Sequence, residues 1–139
     1  MKVLYTTRAS ATGGRDGQAA TDDGLLSVKL APPKELGGPG GATNPEQLFA
    51  AGYAACFLGA MKFVGNRDKI AVPADVSVTA EIGIGPRDDG GGFGITAALT
   101  VNLPGMEPAA AEDLMARAHV VCPYSHAIRG NVAVTTARA

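Results

Sequence analysis

The sequence predicts a small α+β protein with short strands first, then a long apolar helix, a β-hairpin, a second helix and a closing strand. Three observations carry that prediction. Asp75–Ile84 and Phe93–Leu103 both alternate in apolar character, with a glycine-rich turn between them. Asn44 to about Gly65 opens with helix-start chemistry and then stays apolar. A further helical stretch is framed by Pro108 and Pro123.

In chain order, Lys2–Arg8 reads as a short strand and Ala11–Gly17, with Gly13, Gly14 and Gly17, as a turn. Leu26, Val28 and Leu30 share one face of a strand over Leu25–Leu30. Pro32–Ala42 reads as a long loop without regular structure. Asn44 then suits an N-cap, Pro45 the first helical position, and Gln47 a capping box closing back to Asn44. In this helix Leu48, Gly52, Ala55, Cys56, Gly59 and Phe63 share a face. The other faces are apolar too, so burial nearly all round is expected. Val76, Val78, Ala80, Ile82 and Ile84 alternate in one hairpin strand. Phe93, Ile95, Ala97, Leu99, Val101 and Leu103 alternate in the other. The second helix runs from Pro108 to Val121 and is ended by Pro123. A short turn or helix stopped by Gly130 follows, and Val132 and Val134 alternate in the last strand.

At 139 residues, the chain is expected to form one domain over residues 1–139. Lys plus Arg number 12 and Asp plus Glu 13, a net charge of −1, which argues against nucleic acid or an anionic membrane surface as partner. With 46% hydrophobic and 18% charged residues the chain is a folded globule rather than a disordered one. The longest uncharged apolar run, Leu48–Met61, has 14 residues and falls short of a bilayer. No signal peptide is read at the N-terminus, so a cytoplasmic location is expected. A protein this small leaves much surface to hide, which suits pairing with a second copy.

The chemistry-bearing residues are few. Cys56 lies mid-helix, beyond the reach of its own helix dipole, and apolar burial there raises a thiol pKa. A reactive Cys56 therefore needs a cation from elsewhere, and Arg15, on the glycine-rich turn, is the best candidate. Glu46 stands ten residues earlier on nearly the same face, about 15 Å along the axis, where it can pair with an arginine. Cys122 stands at a helix C-terminus, which disfavours a thiolate and suits a partner thiol. His119, Cys122 and His126, with Cys56, also have the residue types of a zinc site. Packed or solvated histidines and inert buried thiols are the simpler reading of these four. Gly37–Gly41 lacks the Lys-Ser/Thr of a phosphate loop and reads as a flap.

Four stretches go further: Ala11–Gly17, Pro33–Gly41, Thr43-Asn-Pro-Glu-Gln through Cys56-Phe57, and Ala118-His-Val-Val-Cys122-Pro-Tyr-Ser-His126 through Asn131. Through them, and over essentially the whole chain, the sequence resembles the organic hydroperoxide resistance proteins of the Ohr/OsmC superfamily. The resemblance implies an OsmC-like fold, an intertwined homodimer with central helices packed against antiparallel sheets. It implies a peroxidase active in the oxidative stress response, reducing alkyl and fatty-acid hydroperoxides to alcohols. Cys56 is then the peroxidatic cysteine, Cys122 its resolving, disulfide-forming partner, and Arg15 with Glu46 the supporting ion pair. The implied reductant is a dihydrolipoyl group, as dihydrolipoamide or on a lipoylated protein, with no bound cofactor or metal. Leu36, Phe49 and Phe63 are candidate lining for an apolar substrate. The alternatives are an osmotically inducible OsmC-type peroxidase, a non-catalytic binder of a hydrophobic ligand in the same pocket, and a zinc-binding module.

Overall fold

The computed structural model describes residues Met1–Ala139. The chain forms two compact units, Met1–Leu48 and Phe49–Ala139. Their elements make a mixed α+β structure with two three-stranded sheets.

In the first unit, strands β1 (Ala9–Thr12), β2 (Gln18–Thr21) and β3 (Ser27–Lys29) form an antiparallel sheet in that order. The expected strand over Lys2–Arg8 is absent, and β1 begins only at Ala9, opposite Thr21. Met1–Thr7 has no strand neighbour within the chain, the Arg8 carbonyl accepts from the Asp22 N–H at 3.1 Å, and Val3, Leu4 and Tyr5 are exposed. An extended segment without a ladder partner is not held as a strand. β2 falls on Gln18-Ala-Ala-Thr21, which carries no apolar alternation and was not foreseen. Pro32–Ala42 is not wholly irregular, since Lys34–Leu36 make one 3-10 turn. From Gly17, Leu30 and Thr43 a short backbone ladder is built. The Leu30 N–H donates to the Gly17 carbonyl at 2.8 Å and the Ala31 N–H to the Thr43 carbonyl at 3.0 Å. The ladder lays the end of the Ala11–Gly17 turn alongside the start of helix α1 (Pro45–Asp68).

The capping box forms as the sequence predicts. The Gln47 N–H donates to Asn44 Oδ1 at 2.9 Å, and the Asn44 N–H donates to Gln47 Oε1 at 3.1 Å. These bonds satisfy amide groups that have no partner inside the helix. With 24 residues, α1 is about 36 Å long. By length and composition alone the whole helix is therefore long enough to cross a membrane, although its uncharged run is not. Only 33% of its most apolar 18-residue window is buried in the chain. The buried side chains are Tyr53, Phe57, Ala60, Met61 and Val64, one stripe at helical spacing. Ala51, Ala55, Gly59 and Phe63 remain exposed. Burial nearly all round is thus not met within one chain, because the core-forming elements cover only one side of α1.

In the second unit, β4 (Ser77–Pro86) and β5 (Phe93–Asn102) form the expected hairpin, with Ala80 opposite Leu99 and Ile82 opposite Ala97. β6 (Val134–Arg138) joins the other edge of β5 in parallel, Ala97 opposite Val134. Helix α2 (Pro108–Val121) supplies buried Ala111, Leu114, Met115 and Ala118. These meet Phe57, Met61 and Val64 of α1 and Leu99 and Val101 of β5 in one core. Each of the larger side chains here, such as Leu114, Met61 and Leu99, contributes about 1.5–3 kcal/mol on full burial. Helix α3 (Pro123–Ile128) follows directly, so Cys122 caps the end of α2 and the start of α3.

Candidate active site

Two pairs of side chains come together, one in each unit. In the first, Arg15 sits in the turn between β1 and β2, which the Asp16 N–H closes onto the Gly13 carbonyl at 3.1 Å. Gly17 makes this turn possible, because a Cβ there would lie 2.0 Å from the Thr12 carbonyl oxygen. Arg15 Nη2 donates to Glu46 Oε2. Glu46 stands in the first turn of α1, where the helix dipole favours an acid. The Arg15 hydrogen bond holds the Glu46 carboxyl below the usual carboxylate range, and the carboxylate raises the guanidinium in turn. The pair is largely shielded on the Glu46 side and more open at Arg15, with side-chain exposures of 15% and 40%.

In the second unit, the Cys122 thiol lies 3.5 Å from Cys56 Sγ, and both cysteines are free thiols. Cys122 is fully buried, whereas Cys56 is half-buried. Burial pushes the Cys56 thiol up, while a hydrogen bond from the Tyr124 backbone amide pulls it down. The nearby Cys122 thiol reinforces the upward shift. That amide follows Pro123 at the first position of α3, so it is the first free N–H of a helix. The sequence reading placed a short turn or helix after Pro123, and α3 is that helix; what it did not foresee is the free Tyr124 amide that Pro123 leaves beside Cys56. A proline one residue after a cysteine was the available signal.

α3 rests on α1 through aromatic rings. Phe49, Tyr53 and Tyr124 lie with centroids 5.8–5.9 Å apart. Gly52 lets the Tyr124 ring in, since a Cβ there would lie 2.9 Å from its hydroxyl. Tyr53 Oη and Ser125 Oγ hydrogen-bond at 2.8 Å, with both residues buried. Neither this bond nor the ring cluster was foreseen, because each joins residues far apart in sequence. Of the lining candidates, Phe49 belongs to the ring cluster. Phe63 is 56% exposed, with the Arg67 guanidinium 5.9 Å from its ring centroid. Leu36 is also exposed.

The two histidines sit in different surroundings. His119 Nδ1 is buried without a hydrogen-bond partner, and burial beside Arg129 pushes its imidazole pKa down. His126 is exposed. Nowhere do three or more His, Cys, Asp or Glu side chains gather as a metal would need.

Comparison with known proteins gives this arrangement its context. Residues 38–137 match the model of the OsmC-like protein family. An organic hydroperoxide resistance protein of Xanthomonas axonopodis pv. citri is 56% identical, covering 96% of this chain and 94% of that one. A crystal structure of an organic hydroperoxide resistance protein from Legionella pneumophila superposes with a TM-score of 0.94 at 54% identity, covering 99% of both chains. OhrB of Bacillus subtilis superposes with a TM-score of 0.89 at 39% identity, covering 99% of this chain and 100% of that one. With a family model across most of its length and relatives this close end to end, the chain belongs to the OsmC-like family, among the organic hydroperoxide resistance proteins.

Proposed function

We propose that the protein is a thiol peroxidase that reduces organic hydroperoxides to alcohols in the oxidative stress response. The observation that carries this reading is the 3.5 Å separation of two free thiols, one buried and one partly reachable. A disulfide needs about 2.05 Å between the sulfurs, so bonding asks for a small approach and no refolding.

The Cys56 thiolate attacks one peroxide oxygen, the O–O bond breaks, and the other oxygen leaves as the alcohol after taking a proton. Cys56 becomes a sulfenic acid. The Cys122 sulfur then attacks Cys56 Sγ, the S–S bond forms, and the hydroxyl leaves as water with the Cys122 proton. A dihydrolipoyl group returns both thiols by exchange and is itself oxidised to the cyclic disulfide. Because burial raises the Cys56 thiol, the thiolate needs support. The Tyr124 amide supplies part of it. Arg15 is assigned the rest, as counter-charge to the thiolate and as a planar donor to the peroxide oxygens. Glu46 holds the guanidinium in its place.

In this reading the working form is a homodimer. The exposed stripe Ala51, Ala55, Gly59 and Phe63 on α1 supports that pairing, since apolar faces of this kind are normally covered. So do the exposed Val3, Leu4 and Tyr5 at the N-terminus. The location is cytoplasmic, where thiols are kept reduced between turnovers.

The test is a count of free thiols per chain before and after one equivalent of an organic hydroperoxide. Both thiols are expected to disappear and to return with dihydrolipoamide. Survival of both would refute the peroxidase reading and favour a hydrophobic-ligand binder, whose affinity a Cys56→Ser substitution would leave intact. Loss of only one thiol would remove Cys122 from its role.

A further inference from the structure

Tyr53 stands three residues before Cys56 on α1, and Ser125 three residues after Cys122 on α3. Their hydroxyls meet at 2.8 Å, with Tyr53 0% and Ser125 1% exposed. The same two helices also meet through ring packing by Phe49, Tyr53 and Tyr124 and through the Tyr124 backbone amide at Cys56. Ring packing sets how close α3 lies to α1 but is tolerant of sliding. A hydrogen bond is directional and weakens steeply when its angle opens, so it fixes register. In a water-free interior such a bond is strong, and a hydroxyl left alone is costly, which holds both partners in place.

We propose that the Tyr53–Ser125 hydrogen bond is the brace that keeps Cys122 within bonding range of oxidised Cys56. The two hydroxyls are positioning groups, and they decide whether the sulfenic acid is captured or lost. The inference rests on the thiol-peroxidase reading above. The sulfur–sulfur separation of 3.5 Å lies at the edge of the range in which reacting atoms are poised for attack, about 3–3.5 Å. A misplacement of about 1 Å costs on the order of 100-fold in rate.

Two fates compete for the Cys56 sulfenic acid. In the first, the Cys122 sulfur attacks, the S–S bond forms, the S–O bond breaks and water leaves. In the second, the sulfenate sulfur attacks another hydroperoxide, the O–O bond breaks, a second alcohol leaves and the sulfur becomes a sulfinic acid. The second route needs no reactant beyond the substrate itself. It is slow only relative to an intramolecular partner held ready, and it takes Cys56 out of the cycle. The brace therefore protects the enzyme against its own substrate.

The experiment uses the full reduced chain as wild type, Tyr53→Phe, Ser125→Ala and the double variant, with cumene hydroperoxide as the probe. Intact-mass spectrometry at equimolar and at large excess peroxide reads the disulfide and sulfinic forms. Rapid-mixing kinetics in the same proteins carrying Cys122→Ser reads the first oxidation of Cys56. The disulfide step is expected to slow by about ten-fold relative to the first oxidation, with a matching rise in the sulfinic fraction. The double variant should match the singles, since all three break one bond. It also leaves no buried hydroxyl unpaired, so it stays folded even where a single variant does not.

A lowered thermal midpoint with the wild-type partition between disulfide and sulfinic acid would overturn the proposal, because the pair would then serve stability alone. A wild-type partition in the double variant would overturn it equally. Failure of the wild type to form any disulfide is a different result, and it would take down the peroxidase reading on which the brace depends.

Discussion

Replacing Gly52 by alanine sets two opposed effects against each other. Gly52 lies inside α1, where alanine is favoured over glycine by about 1 kcal/mol. The added Cβ, however, would stand 2.9 Å from the Tyr124 hydroxyl and 3.2 Å from Cε2 of its ring, where ordinary contact starts at 3.4 Å. Restoring ordinary contact takes a retreat of the ring by 3.4 − 2.9 = 0.5 Å. It cannot do so freely, because Phe49 and Tyr53 both pack against it. Overpacking of this kind costs about 1–3 kcal/mol. The net expectation is a loss of about 0–2 kcal/mol, or up to about 8 °C in thermal midpoint. The local effect is the more telling one. As Tyr124 moves, its amide withdraws from Cys56, so the thiolate loses an acceptor bond and the Cys56 pKa rises further. Thiolate absorbance titrated against pH, with Cys122→Ser as background, measures that shift. A variant stabilised by the full helix-propensity gain, with its Cys56 titration unchanged, would show that Tyr124 is not pressed onto Gly52 and would undo the reasoning.

Other expectations follow from single features. Because Arg15 depresses the Glu46 carboxyl, the pair's contribution is fully present above the carboxyl's ordinary pKa of 4.5 and is lost as pH falls through the depressed value. With Arg15 40% exposed, that contribution is about 1 kcal/mol or less. Urea midpoints of wild type and Glu46→Gln should differ at neutral pH and converge in acid, and a constant gap would deny the ion pair any share. Leu114→Ala, at a fully buried site where α2 meets the core, should cost about 2–5 kcal/mol by denaturant unfolding. A cost under 1 kcal/mol would mean that the cavity collapses. Lys69, just past the end of α1, has φ 59°, a conformation that burdens an L side chain by about 1–2 kcal/mol. Lys69→Gly should therefore raise stability by about 0.5–1 kcal/mol after glycine's own entropy cost, and a lowered midpoint would refute that account.

What was legible in the sequence was local. Asn44, Pro45 and Gln47 start a helix because their bonds join residues three apart. Pro108 and Pro123 bracket α2 because proline acts on its immediate neighbours. The β4–β5 hairpin shows in the alternation of Ala97, Leu99 and Val101. Two side-chain contacts also join residues the sequence had singled out, Arg15 with Glu46 and Cys56 with Cys122. What escaped was relational. Lys2–Thr7 has strand-like residues but no ladder neighbour within the chain, and a strand is a property of two segments. β2 pairs on both sides although Gln18-Ala-Ala-Thr21 shows no apolar alternation. The exposed side of α1 reads as core because composition records how apolar a face is and says nothing of what covers it. The Tyr53–Ser125 bond spans 72 residues and leaves no periodic trace.

The unequal burial of the two sulfurs gives the pair a direction. Cys56 faces outward in part, and Cys122 is sealed at the corner between α2 and α3. A reagent too large to enter the core therefore meets one sulfur per chain at once. It meets the other only when that corner opens. Labelling of the reduced protein should run in two phases, with the slow phase set by the frequency of that opening and insensitive to the reagent's intrinsic reactivity once the reagent is in excess. Cys122 thus serves as an internal clock for local unfolding, and any substitution that loosens the α2–α3 corner will register as a faster second phase before it registers as lost stability.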